Sequence, residues 1–240
     1  MEIRGHRECL DCGVRWSYYE TGSVACPDCA SVHSRGLDDE RALHTATPVE
    51  FDLTEVRLAV DELSSRELAR KAKDLCRSFV TRHGFVVGGE LQPLDDTYVA
   101  ALELLHVADS VDRTLTLDDR QEHHFLTLLA TGDQGDRPAP AEVPPPLQES
   151  RGLAIADAIT DYHGDVRQWL DRNPHPEVRP ALSRLREHEK RLHALDGNVD
   201  PAAAERLLSA TRDVGTYLRE GDENALSSAL ERLDRLDGPG

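Results

Sequence analysis

The sequence predicts a mainly α protein with a small N-terminal β module followed by antiparallel helical bundle regions. Two patterns indicate this fold class. Residues 1–37 contain four of the five cysteines and short alternating runs typical of strands, whereas from residue 51 onward apolar residues recur at helical spacing. The predicted organisation comprises a β module over 1–37, a linker over 38–50, a helical region over 51–132, a Pro-rich acidic linker over 133–149 and a helical bundle over 150–237.

The chain is strongly acidic. Its 45 aspartates and glutamates exceed its 28 lysines and arginines, and the net charge of -17 disfavours an extended grip on nucleic-acid phosphates. Only Lys71, Lys73 and Lys190 are lysines, and an acid excess with scarce lysine is expected of a halophilic protein working in concentrated salt. No apolar signal region and no run of about 18 apolar residues is present, so we expect a cytoplasmic protein without a membrane partner.

Two Cys-x-x-Cys pairs predict a metal site. The pairs Cys9–Cys12 and Cys26–Cys29 are separated by thirteen residues, close to the spacing of four-cysteine zinc sites. Four thiolates complete a tetrahedron and leave no open position, so we predict one structural Zn²⁺. Similar knuckles hold redox iron in rubredoxin-like proteins, which is the less favoured alternative. Cys76 lies in an apolar helical pattern and is expected to be a buried, inert thiol.

The residues between the two pairs predict a zinc ribbon. Val14–Tyr18 alternates like a strand, Glu20–Ser23 is typical of a turn, and Val24–Ala25 begins the return strand. A module of this length needs large rings as well as the metal to form a core. We therefore expect Trp16 and Tyr18, on one face of the strand, to cover the metal site.

Arg15 and Tyr19 are candidate partner contacts because they are expected on the opposite face of the same strand. An exposed tyrosine beside an arginine can stack on a nucleobase or dock on a protein. Packing of Tyr19 against the helical part of the same chain is the favoured alternative.

The segment CLDCGVRWSYYETGSVACPDC, from Cys9 to Cys29, resembles the N-terminal zinc ribbon of the transcription factor IIB type. With its acidic, lysine-poor helical body, the chain is similar to uncharacterised haloarchaeal proteins that carry such a ribbon. The resemblance implies Cys9, Cys12, Cys26 and Cys29 as the metal ligands and no further site residues. It covers the first 37 residues specifically and the remainder only in overall character.

Helix start and stop signals divide the rest of the chain. Ser64 and Glu67 form a capping-box signature, Asp200–Pro201 is a cap followed by proline, and Gly221 ends a helix. Short connections imply antiparallel neighbours, and the proline-rich stretch between Gly132 and Ser150 predicts an exposed, partly extended linker. The expected helices cover Asp52–Leu63, Ser64–His83, Leu94–Ala108, Thr116–Gly132, Arg151–Leu170, Glu177–Leu195, Ala202–Leu218 and Asn224–Leu236.

One helix breaks the acidic trend. Arg66, Arg70, Lys73 and Arg77 are spaced four, three and four residues apart, so on a helix they form one stripe, here called the basic ridge. The ridge is expected to face outward, where it could meet phosphates or an acidic partner. A solvated or internally salt-bridged face is the favoured alternative.

Catalytic motifs are not recognisable in the sequence. His123 and His124 are adjacent, which on a helix separates them by about 100°, and neither a His-x-x-x-His zinc motif nor a phosphate-binding glycine loop is present. We expect no enzymatic activity and no small-molecule substrate. The sequence instead predicts a non-enzymatic zinc-ribbon accessory protein that binds nucleic acid or a transcription or translation complex. The alternative is a protein–protein adaptor with a purely structural zinc site.

Overall fold

The computed structural model describes residues 1–114 and 116–237. Within that part of the chain it is mainly α, with nine α-helices, 61% helical content and short strands concentrated near the N-terminus. The predicted fold class is thereby confirmed. None of the described helices combines the length and the hydropathy that a membrane span requires.

The N-terminal module is built on a three-stranded antiparallel sheet in which β2 is central, between β3 and β4. A separate antiparallel pair, β1 with β5, places residues 2–3 beside residues 42–43. The elements of this module are β1 (Glu2–Ile3), β2 (His6–Cys9), β3 (Arg15–Ser17), the one-turn helix α1 (Tyr18–Thr21), β4 (Ser34–Gly36) and β5 (Ala42–Leu43).

The return strand lies later in the chain than predicted. Val24–Ala25 forms no strand, because these residues lead directly into the second cysteine pair, and the strand that pairs with β2 is β4 instead. The predicted strand also ends early: Tyr18 begins α1, which Gly22 closes in the left-handed conformation at φ 63°. The prediction that Tyr18 shares a strand face with Trp16 is therefore wrong.

The helical body follows most of the sequence signals, but the first expected helix is shorter than predicted. Ser64 caps α3 through the predicted capping box with Glu67, and Asp200 caps α8. The elements of the body are α2 (Thr54–Leu58), α3 (Ser65–Arg82), the hairpin β6 (Val86–Val87) and β7 (Glu90–Leu91), α4 (Asp96–Arg113), α5 (Asp119–Thr131), α6 (Gln148–Leu170), α7 (Arg179–Ala194), α8 (Pro201–Glu220) and α9 (Glu223–Asp237). The helix expected to begin at Thr116 begins later, because Asp118 provides the capping side chain. In the first expected helix, α2 ends at Leu58 and not at Leu63, and Leu53 takes the N-cap position expected of Asp52.

A single hydrophobic cluster runs through both helical regions, from Leu43 to Leu233. Helix α4 packs against α3 and α6, and α6 in turn contacts α7 and α8. These two central helices are rich in fully buried residues, among them Tyr98, Val107, Ile155 and Ile159. The helical regions therefore share one core.

The proline-rich segment is folded onto the body, which differs from the exposed, extended conformation expected of it. It forms three short 3-10 helices at Gly132–Gln134, Pro140–Glu142 and Pro145–Leu147. Val143 and Leu147 are buried in the shared core. Each of the last two 3-10 helices has proline in its first turn, where the missing N–H is not needed. The division of the chain at residues 133–149 remains a prediction.

The segment after the ribbon attaches the N-terminal module to the body. The Thr45 hydroxyl donates to Asp165 on α6 at 2.6 Å. Arg172 donates to the carbonyl of Arg41 and forms an ion pair with Glu2. We call this set of contacts the ribbon–body joint.

Candidate metal centre and contact surfaces

Each cysteine pair lies in a tight knuckle. In the first, the N–H of Gly13 donates to the carbonyl of Cys9 at 3.1 Å, and in the second the N–H of Ala30 donates to the carbonyl of Cys26 at 2.9 Å. The residue after each pair has positive φ, 78° at Gly13 and 59° at Ala30. Glycine adopts that conformation freely, whereas alanine adopts it at some cost, so the second knuckle is the more strained.

The two knuckles bring the four cysteine sulfurs together. All four Sγ atoms lie within 4.8 Å of one another. The Sγ atoms of Cys9 and Cys29 are 3.6 Å apart, and those of Cys12 and Cys26 are 3.5 Å apart. A tetrahedral metal with bonds of about 2.3 Å to sulfur separates its ligands by roughly 3.8 Å. The four cysteines can therefore hold a metal ion.

The electrostatics of the cluster also favour a cation. The backbone N–H of Cys12 lowers the pKa of the Cys9 thiol to about 7, so this sulfur ionises first. For Cys12, the N–H of Val14 acts in the same direction, but local desolvation of the thiol and the neighbouring sulfurs outweigh it and raise the pKa to about 12. Four sulfurs this close cannot all become thiolates unless a positive ion compensates their charge.

Trp16 forms the small core beside the sulfurs, as predicted. Its side chain is buried with Cys9 and Cys26, and its indole N–H donates to the carbonyl of Ser23 at 3.0 Å. Tyr18 instead faces away from the metal site, with its ring 5.8 Å from that of His44.

Tyr19 lies at the ribbon–body joint. Its ring is partly buried, 5.0 Å from the ring of His44. A Cβ atom added at Gly5 would approach the Tyr19 ring to 2.1 Å, and one added at Gly88 would approach it to 3.0 Å. The ring is thus packed between two glycines, one in the ribbon and one in the β6–β7 hairpin. These contacts favour the alternative in which Tyr19 packs within its own chain.

Arg15 lies apart from Tyr19, on the exposed face of the sheet. Its register partner on β2 is Glu8, which also faces Arg35 on β4. Arg15 pairs with Glu8 at 3.1 Å, and Arg35 contacts the other oxygen of the same carboxylate. The structure therefore does not bring Arg15 and Tyr19 together, and a partner contact by either residue remains a prediction.

Three of the four basic-ridge side chains contact polar groups of α4 or of Thr114, which follows it. Arg70 pairs with Asp112 at 2.8 Å, and Lys73 pairs with Asp109 at 2.7 Å. The Arg66 guanidinium donates to the carbonyl of Thr114 at 2.9 Å.

The expectation that the whole stripe faces outward is wrong for Lys73, whose side chain is only 11% exposed. The reason is that α3 packs along α4, and two aspartates of α4 border the contact. Arg77 is exposed. The internally salt-bridged alternative describes the inner part of the ridge, and its contact with a partner remains a prediction.

A buried ionic network was not foreseen from the sequence. The Glu103 carboxylate lies in the core, 2.8 Å from Arg151 and 3.2 Å from Arg137. Glu205 accepts from both arginines, each at 2.9 Å, and His124 lies 3.3 Å from Glu103. Burial alone would raise the pKa of Glu103, but His124, Arg151 and Arg137 outweigh it and lower the pKa.

The charges of the two carboxylates and the two guanidiniums in this network compensate each other, which is typical of a structural ion-pair network. It connects α4, α5, α6 and α8 to the proline-rich segment. A glutamate within the apolar run of α4, between Leu102 and Leu104, is the only local signal of it. The partners follow 21 to 102 residues later, which no local pattern reveals.

Comparison with known proteins returns one match. No curated protein and no solved structure matches the chain. The model of DUF7117, a family of unknown function, matches residues 1–233. Because that match covers nearly the whole chain, the protein belongs to DUF7117.

Proposed function

We propose that the protein is a non-enzymatic zinc-ribbon accessory protein whose metal is structural and whose ribbon recognises a macromolecular partner. The observation that carries the proposal is the group of four cysteine sulfurs within 4.8 Å of one another. A complete set of four sulfur ligands leaves no position for substrate or water, so the ion would stabilise the ribbon instead of performing catalysis. The sulfur set suits zinc and also iron, and zinc is the proposed metal.

A protein complex is the better supported class of partner. At the knuckles, Leu10 is 62% exposed and Val32 is 68% exposed. The N–H of Leu10 donates to the carbonyl of His33 at 2.8 Å, so the two apolar residues lie in adjacent segments. Neighbouring exposed apolar side chains are typical of protein-binding surfaces. Nucleic acid is less well supported because Arg70 and Lys73 already pair with acidic residues of α4. The likeness of the ribbon to the transcription factor IIB type supports a transcription or translation complex in an archaeal cytoplasm.

Replacing one ligand tests the metal site. We expect purified protein to contain one zinc per chain and Cys26→Ser to contain none, because three thiolates bind the ion far more weakly than four. Elemental analysis by mass spectrometry distinguishes zinc from iron, and Cys76→Ser is the matched control because Cys76 is buried away from the cluster. Zinc retained by Cys26→Ser, or iron in its place, would contradict the proposal.

Replacing the exposed knuckle residues tests the partner class. We expect the protein to capture a protein complex from native lysate after nuclease treatment, and Leu10→Asp with Val32→Asp to lose that capture while retaining zinc. Leu58→Asp is the matched control, since Leu58 is 78% exposed but belongs to α2. Capture that disappears with nuclease, and weakens in Arg77→Glu, would assign nucleic acid as the partner instead.

A further inference from the structure

A groove of about 500 Å³ opens where α7, α8 and α9 meet. Its floor is apolar, with Leu192 and Leu207 buried at the base. Leu195, 44% exposed, lies on its side together with Val199 and Leu236. The volume is within the range of well-formed binding sites, and apolar side chains exposed along a groove between helices are typical of helix-binding surfaces.

Three arginines border this apolar floor: Arg191, Arg206 and Arg235. Arg191 is exposed and has no ion-pair partner within 4.0 Å in the part of the chain that the structure describes. Arg206 lies 4.0 Å from Asp200. Arg235 pairs at 3.5 Å with Glu231 on its own helix, and because both side chains are about 70% exposed, that pair contributes little.

The two aspartates at the groove already have partners within the chain. Asp237 accepts from Arg184 at 2.6 Å and lies 3.0 Å from His188. Asp200 caps α8 by accepting from the N–H of Ala202. The rim therefore presents available guanidinium groups, although the chain as a whole has a net charge of -17.

We propose that this groove binds an acidic amphipathic helix of a partner protein. The apolar side of such a helix would lie over the floor formed by Leu192 and Leu207 and against Leu195 at its side. Its flanking carboxylates would pair with the arginines of the rim. A basic helix would be repelled by the same rim. The groove involves none of the ribbon residues, so this proposal is independent of the metal site.

A charge-reversal experiment on the full-length chain tests the proposal. The probe is a fluorescent synthetic helix of about four turns, with leucines at helical spacing on one face and glutamates beside them. A second probe replaces every glutamate with lysine.

We expect the acidic probe to bind the unaltered chain in fluorescence anisotropy titrations, more weakly as salt increases. Arg191→Glu with Arg235→Glu should lower the affinity by about tenfold or more and gain affinity for the basic probe. Leu195→Asp should also weaken binding of the acidic probe, because it places a like charge beside the apolar floor. Arg186→Glu, an exposed residue of the same helix outside the groove, should leave binding unchanged.

Failure of the acidic probe to bind, or equal binding by the double reversal variant, would overturn the proposal. Circular dichroism and zinc content, measured on every variant, separate loss of binding from loss of fold. A concentration-dependent dimer that the double variant abolishes would assign the groove to a second copy and would also overturn the proposal.

Discussion

At the scale of single residues, His44 is the most unusual side chain of the ribbon–body joint. It is 1% exposed, and neither ring nitrogen has a hydrogen-bond partner among the described residues. The rings of Tyr18 and Tyr19 lie against it. Burial lowers the pKa of His44, so the imidazole is neutral in the folded protein. The joint thus contains an ionisable side chain whose uncharged form is favoured by burial.

The stability of the protein should therefore depend on pH through His44. Its ordinary pKa is 6.5 and its folded pKa is lower, so between these values the unfolded chain binds more protons than the folded one. The free energy of unfolding should fall as pH drops below about 6.5 and level off below the folded pKa. Urea unfolding followed by tryptophan fluorescence, at intervals from about pH 8 to pH 5, measures the slope.

The variant His44→Phe should flatten this pH dependence, because it keeps a ring in place and removes the titrating group. His123→Phe is the control, since His123 is exposed on α5. An unchanged slope in His44→Phe would show that other groups determine the pH dependence.

At the scale of elements, the proline-rich segment is fixed by side chains and not by regular hydrogen bonding. Arg137 reaches from it to Glu103 and Glu205, and Arg151 donates to the carbonyl of Pro138 at 2.7 Å. Val143 and Leu147 add buried apolar contacts. Its composition predicts an exposed linker, because composition cannot show that Glu103 and Glu205, elsewhere in the chain, form ion pairs with the segment.

Removing Arg137 should destabilise the whole body. Arg137→Ala leaves two buried or partly buried carboxylates facing only Arg151 and His124, and an uncompensated buried charge costs about 3 kcal/mol. Chemical unfolding monitored by circular dichroism measures the loss. Arg120→Ala, an exposed position on α5, should change the free energy of unfolding by less than about 0.5 kcal/mol. A cost for Arg137→Ala no larger than that of the control would contradict a stabilising role for the network.

At the scale of the whole molecule, the features that could be predicted from the sequence are those that depend on the spacing of nearby residues. The cysteine pairs, the capping box at Ser64 and the cap at Asp200 are predictable because each depends on residues within four positions of one another. The return strand is misplaced because Val24 is apolar, whereas β4 consists of Ser34, Arg35 and Gly36, which have no strand pattern.

Long-range packing accounts for the rest. Nothing near Tyr19 in the sequence indicates that its ring packs against Gly88 and His44. Likewise, nothing near Lys73 indicates that it forms an ion pair with Asp109. Such pairs depend on how helices and hairpins meet, which is decided by the common core and not by the spacing of neighbours.

The distribution of the five thiols has a practical consequence for handling the protein. Burial raises the pKa of the Cys76 thiol and closes it to reagents. The two exposed thiols, Cys12 and Cys29, belong to the metal cluster. An alkylating dye would therefore react with the protein only when the ion site is empty, so its reaction measures occupancy of that site. Maleimide labelling for spectroscopy requires a newly introduced cysteine elsewhere on the surface.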